Sequence, residues 1–228
     1  MEETTIVSIF INMFEDYFNF LVNQVLEKIN SHINGQIEVI KFAGKKRITV
    51  GGLIQSGGMV GLIWQKAIKA IRQPLTVNHC LILGLGGGTA ANLINQSFPK
   101  AKITGVEIDK VMIELGKKYF NLSKIKNLKI INQDAIKFIN KQQTAQNYYS
   151  LIMVDLYLGD KIPQKSTTVD FLTKLKKALN PKGTVIFNRL FYRQHKKETE
   201  KFINKLAKIF PKIKLIKAYS NLLVFASK

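Results

Sequence analysis

From residue 76 onward, short apolar runs alternate with helical stretches, and no other feature of the chain limits its fold so tightly. Strands are expected near 78–83, 102–107, 127–132, 149–155 and 183–188, and helices near 89–97, 110–119, 134–142, 168–179 and 195–209. Such βαβ alternation gives right-handed crossovers and a mostly parallel sheet covered by helices on both faces. The end breaks this pattern: only a turn separates "KIKLIKAY" from "NLLVFAS", so these two strands pair antiparallel at a sheet edge.

Ahead of this core, residues 5–29 space Ile6, Ile9, Phe10, Met13, Phe14, Phe18, Leu21, Val25 and Ile29 as one stripe of a long amphipathic helix. Next, "QIEVIKF" and "RITV" flank "AGKK" and read as a β-hairpin. The apolar helix "MVGLIWQKAIKAI" follows and ends towards Pro74. That proline divides an extension, residues 1–75, from the α/β core, residues 76–228.

The chemistry of the core starts at "LILGLGGGTAANLI", where Gly84, Gly86 and Gly88 lie between a buried strand and a helix. Without Cβ atoms the backbone can turn sharply there and approach a ligand closely. A dinucleotide fingerprint wants a small residue at position 89, where the chain has Thr89, and its third glycine comes one place early. The spacing favours the G-x-G-x-G form that accepts S-adenosylmethionine, with a dinucleotide and a purely structural turn as the other readings.

Three carboxylates follow at successive strand ends. Glu107 in "TGVEID" closes the second parallel strand, where a carboxylate accepts hydrogen bonds from ribose hydroxyls. Asp109 is better placed to cap the helix that starts at Lys110. In "INQDAIKFI", Asp134 and Ala135 stand where an adenine amino group would arrive, and Asp134 also suits a helix N-cap. Asp155 in "YYSLIMVDLYLGD" reaches the same crevice and is the expected catalytic group, taking or orienting the proton of an attacking amine. Capping of the next loop is its structural alternative.

In this order, the motifs resemble class I S-adenosylmethionine-dependent methyltransferase-fold transferases, and in detail their spermidine synthase-like branch. "ITVGGLIQSGG", "LILGLGGGTAANLI", "VEID", "QDAIKFI", "YSLIMVDLY" and "IPQKSTTVDFLTKLKKALNPKGTVIFN" carry the match. The resemblance implies a Rossmann-like fold with a mostly parallel seven-stranded sheet and a C-terminal antiparallel hairpin. It also implies S-adenosylmethionine or its decarboxylated form as cofactor, with Gln55 contacting the nucleoside. Tyr157 and Asp160, in the loop after Asp155, are weaker substrate-binding candidates. Trp64 is expected in the core.

The chain departs from polyamine aminopropyltransferases, which carry an acidic acceptor pocket. No Asp or Glu occurs between Glu38 and Glu107. Against a net charge of +20, each close approach of a polyamine ammonium to a cation costs on the order of 1 kcal/mol even in water. Methyl transfer to a small-molecule or protein acceptor is therefore the expected function, and aminopropyl transfer is the alternative. A nucleic-acid methyltransferase or binding module is a third reading, prompted by 35 Lys and Arg against 15 Asp and Glu. The lysines are scattered rather than clustered, and no D/N-P-P-Y motif occurs, so nucleic acid is not the favoured partner. One cysteine, Cys80, and three dispersed histidines give no expectation of a disulfide or a metal site. A cytoplasmic protein with no membrane span is expected, and the apolar stripe near the start raises a homodimer.

Overall fold

The computed structural model describes residues 22–71, 76–141, 148–159 and 161–228. Four antiparallel strands come first: β1 (Gln24–Ser31), β2 (Gly35–Phe42), β3 (Lys45–Val50) and β4 (Leu53–Gly57), in the order β1-β2-β3-β4. After α1 (Gly58–Ile71) the chain enters the core. There β5 (His79–Leu83), α2 (Thr89–Ser97), β6 (Lys102–Glu107), α3 (Lys110–Tyr119), β7 (Leu128–Asn132) and α4 (Ala135–Lys141) run in succession. They are followed by β8 (Tyr149–Val154), α5 (Val169–Ala178), β9 (Leu179–Leu190), α6 (Gln194–Ala207), β10 (Lys212–Ala218) and β11 (Asn221–Ser227).

The second sheet has seven strands in the order β10-β11-β9-β8-β5-β6-β7. Strands β5 to β9 are parallel, whereas β11 runs antiparallel to both β9 and β10. The expected Rossmann-like core and C-terminal hairpin are thus present. Strand order reverses between β5 and β8, which opens a crevice at their carboxyl ends.

Period-two alternation places both faces of the sheet in apolar surroundings. On β5, Cys80 and Ile82 join Trp64, Ala67 and Ile68 of α1 and Ala91 and Ile94 of α2. Leu81 and Leu83 face the other way, towards Phe138 of α4, Leu172 and Leu175 of α5 and Leu206 of α6. The small sheet packs Ile37, Val39, Ile48 and Val50 onto Met112 and Leu115 of α3. Ser31 and Asn34 also donate to the Asp109 carboxylate, which caps α3 through the Val111 amide.

The extension differs from the sequence-based expectation. Residues 5–21 of the amphipathic helix lie outside the described residues, as does Pro74. From Gln24 the chain is a strand rather than a helix, paired with β2 from Gln24↔Lys41 to Ser31↔Gly35. Val25 and Ile29 suit either periodicity, and both remain largely exposed in β1, so edge pairing with β2 decides their conformation. The expected two-strand hairpin is in fact the central pair of a four-strand sheet.

Candidate active site

Two adjoining cavities open at the carboxyl ends of β5 and β8, and Gln55, Asp155 and Tyr157 line both. The first, of about 160 Å³, also meets Asn34, Gly84, Gly86, Glu107, Asp134 and Ala135. Its apolar walls include Ile108, Met112, Ile136 and Leu156. The second, of about 330 Å³, is bounded by Leu53, Met59, Val60, Ile63, Asn188, Leu190, Tyr192 and Asn221.

Gly84 has φ +87°, and a Cβ there would collide with the Asp155 carbonyl, so the tips of β5 and β8 close up only around glycine. Gly88 begins α2 with φ +90° and lies against Leu122 instead of lining either cavity. The loop amides are already in use. Gly86 N donates to Glu107 Oε2 at 2.7 Å, Gly87 N to Ser56 Oγ at 2.7 Å and Gly88 N to Leu85 O at 2.9 Å. These three amides are thus committed to holding the loop's own shape.

Glu107 is buried, and its Oε1 takes the Asp109 amide at 3.0 Å. Burial raises its pKa, with the backbone donors partly opposing the shift. The residue lines the first cavity, and a carboxylate has acceptor capacity beyond these backbone donors. Asp134 Oδ1 accepts the Lys137 amide at 2.8 Å, so this residue caps α4 and borders the first cavity at once.

Asp155 stands between the cavities and is held from both sides. Trp64 Nε1 donates to Oδ2 and Asn188 Nδ2 to Oδ1, each at 2.9 Å. Asn221 Nδ2 in turn donates to Asn188 Oδ1 at 2.7 Å, which fixes the orientation of that amide. Burial pushes the Asp155 carboxyl above the ordinary range, and the Trp64 and Asn188 donors pull against it. Trp64 is a core residue, as expected, and in addition touches the site through its indole N–H.

The Tyr157 hydroxyl donates to Asn188 O at 2.9 Å and accepts from Leu190 N at 3.0 Å, so it braces β9. Its ring still borders both cavities, and burial raises its pKa. Gln55 Nε2 donates to Gly159 O at 3.5 Å, linking β4 to the loop after β8. Asp160 lies outside the described residues. Nothing in the sequence singles out Asn34, Ser56, Asn188 or Asn221, because their roles depend on elements far apart in the chain.

Among the described residues no cluster of three or more His, Cys, Asp or Glu could hold a metal ion. None of their helices is long and apolar enough to cross a membrane.

Comparison with known proteins adds three findings. The family model for the spermine/spermidine synthase domain matches residues 62–225. An eEF1A lysine and N-terminal methyltransferase homolog of Drosophila melanogaster is 27% identical over 78% of this chain, and a probable polyamine aminopropyl transferase of Bifidobacterium longum is 32% identical over 58%. In each case the match spans only 28% of the relative's own length. Human methyltransferase-like protein 13, solved in complex with SAH, superposes with a TM-score of 0.59 at 25% identity, covering 74% of this chain and 79% of that one.

Proposed function

The chain belongs to the spermine/spermidine synthase domain family, and from that premise we propose that it is an S-adenosylmethionine-dependent methyltransferase acting on an amine. The acceptor amine belongs to a small molecule or a protein. One observation carries the choice of methyl over aminopropyl transfer. Among the described residues lining the second cavity, Asp155 is the only carboxylate, and Leu53, Met59, Val60, Ile63 and Leu190 form much of the wall. A polyamine would bring further ammonium groups into apolar surroundings with no described acid to receive them, in a chain of net charge +20. A single amine needs only Asp155.

The first cavity suits the adenosyl cofactor. Glu107 would receive the ribose hydroxyls, Asp134 and Ala135 would meet the adenine edge, and Ile108 and Ile136 would cover its faces. Gly84 and Gly86 allow close backbone approach, Gly88 sets the start of α2, and Gln55 reaches from β4. When bound, the cofactor supplies a carbon already activated by its sulfonium, so no metal is called for. The protein's own work is to place and to deprotonate. Asp155 Oδ1 and Oδ2, fixed by Asn188 and Trp64, orient the amine and receive its proton, while the apolar wall excludes water. Such positioning is worth up to about 7–11 kcal/mol. Tyr157, with its hydroxyl committed to β9, shapes the passage between the cavities.

The lysine and N-terminal methyltransferase homolog and the human methyltransferase-like structure support this reading. The aminopropyl transferase relative supports the alternative. Incubating the protein with methyl-labelled S-adenosylmethionine and lysine-containing peptides or simple amines should place label on nitrogen. Formation of an aminopropyl adduct from the decarboxylated form and a diamine, with no methylated product, would overturn the proposal.

A further inference from the structure

Neighbouring residues of a strand point to opposite faces, and β9 uses this at its end. Asn188 serves the site, while Arg189 lies beneath α6 on the other side. There a groove of about 610 Å³ runs between α6 and the segment after β8. Lys161, Arg189, Lys201 and Lys205 line it, against one described carboxylate, Glu198, which stands 3.8 Å from His195 Nδ1.

Arg189 is only 6% exposed, and its guanidinium carbon rests 4.4 Å from the centre of the Phe202 ring. Phe202 is held in turn by an edge-on contact with Phe187 at 5.0 Å. The guanidinium therefore lies over an aromatic floor in cation–π contact. Its Nε is enclosed without a hydrogen-bond partner, and Tyr157 and Glu198 act on the group through space. A buried arginine whose charge is met by only one described carboxylate in the groove is costly unless a ligand completes it. Lys205 Nζ is tied to Thr167 O at 2.9 Å on the groove's rim, and Lys201 lies one helical turn away on the same face of α6.

We propose that this groove is a binding site for a phosphate-class dianion, received by the fork of Arg189 with Lys201, Lys205 and Lys161 around it. The planar fork matches two phosphate oxygens, and the lysines supply the remaining charge. The space beyond the guanidinium leaves room for the organic part of a phosphate monoester. This site does not depend on which group the enzyme transfers.

The test is calorimetric titration of the full chain with inorganic phosphate and, separately, with glycerol phosphate, at ionic strength held constant with chloride. Saturable one-site binding is expected, weakened about tenfold by K201Q and at least as much by R189K, which keeps the charge and loses the fork. Tighter binding of glycerol phosphate assigns the site to an ester, and equal binding assigns it to the free ion. Thermal melting checks that R189K is folded. If it is not, K161Q and K201Q, both at exposed positions, carry the test. Absence of saturable binding to the wild-type protein, or equal affinity in K161Q and K201Q, would overturn the proposal.

Discussion

The two cavities that meet at Asp155 draw on the chain in different ways. The first takes Gly84, Glu107, Asp134 and Asp155 from the ends of successive parallel strands, where topology alone brings them together. The second joins Leu53, Met59 and Ile63, which precede the core strands, to Asn188, Tyr192 and Asn221 near the C-terminus. The first is acidic and reuses its backbone amides, whereas the second is largely apolar with one described carboxylate. A fold of this kind can therefore keep its cofactor side fixed and vary the side that meets the acceptor.

Substitutions can pull the two halves apart. Asp155→Asn should lower kcat by about 10²–10⁴-fold, while calorimetry shows cofactor affinity nearly unchanged. Comparable loss of both would mean that Asp155 serves the first cavity as much as the second. Glu107→Ala should do the reverse and weaken cofactor binding by about 10–100-fold, as expected for losing charged hydrogen bonds of about 1.5–3 kcal/mol. Acceptor KM should move little once cofactor is saturating.

A smaller effect addresses the acceptor side alone. Met59 is partly exposed on the second cavity, so Met59→Glu adds the missing acid. Competition binding should show affinity for a diamine rising about tenfold, the equivalent of roughly 1.4 kcal/mol from one new charge pair at intermediate dielectric. Unchanged diamine affinity would show that the lack of carboxylates does not set the preference.

The smallest effect concerns proton transfer. As the proposed base, Asp155 would act in its ionised form, so activity should be present above its folded-state pKa and lost as pH falls through it. Burial raises that pKa, and the acid limb of kcat/KM should accordingly lie above the ordinary carboxylate range. Trp64→Phe keeps the ring packing and removes a donor that favours the charged form. Its limb should move to higher pH, and a shift to lower pH would contradict the assignment.

The same contrast explains what the sequence could disclose. Glycine spacing, the strand-end acids and the βα alternation are local signals whose places in space follow from the order of parallel strands. All five expected parallel strands and all five core helices appear close to their expected positions. The support around Asp155 gave no such signal. Trp64 looked like any core aromatic, and Asn188 belonged to a strand expected to end there, so only tertiary packing shows that both donate to one carboxylate. Tyr157 lines both cavities, where the sequence suggests a weak substrate-binding candidate, but the commitment of its hydroxyl to Asn188 and Leu190 has no sequence signal. Near the start, Val25 and Ile29 fitted a helical stripe, and the edge of β2 overrode that local preference.

Calorimetric titration of the unmodified protein with S-adenosylmethionine and with its decarboxylated form tests the central claim most directly. The account predicts one-to-one binding with the carboxylate-bearing form held more tightly, and loss of that binding in Glu107→Ala. Tighter binding of the decarboxylated form, or a nicotinamide dinucleotide competing for the same cavity, would contradict it.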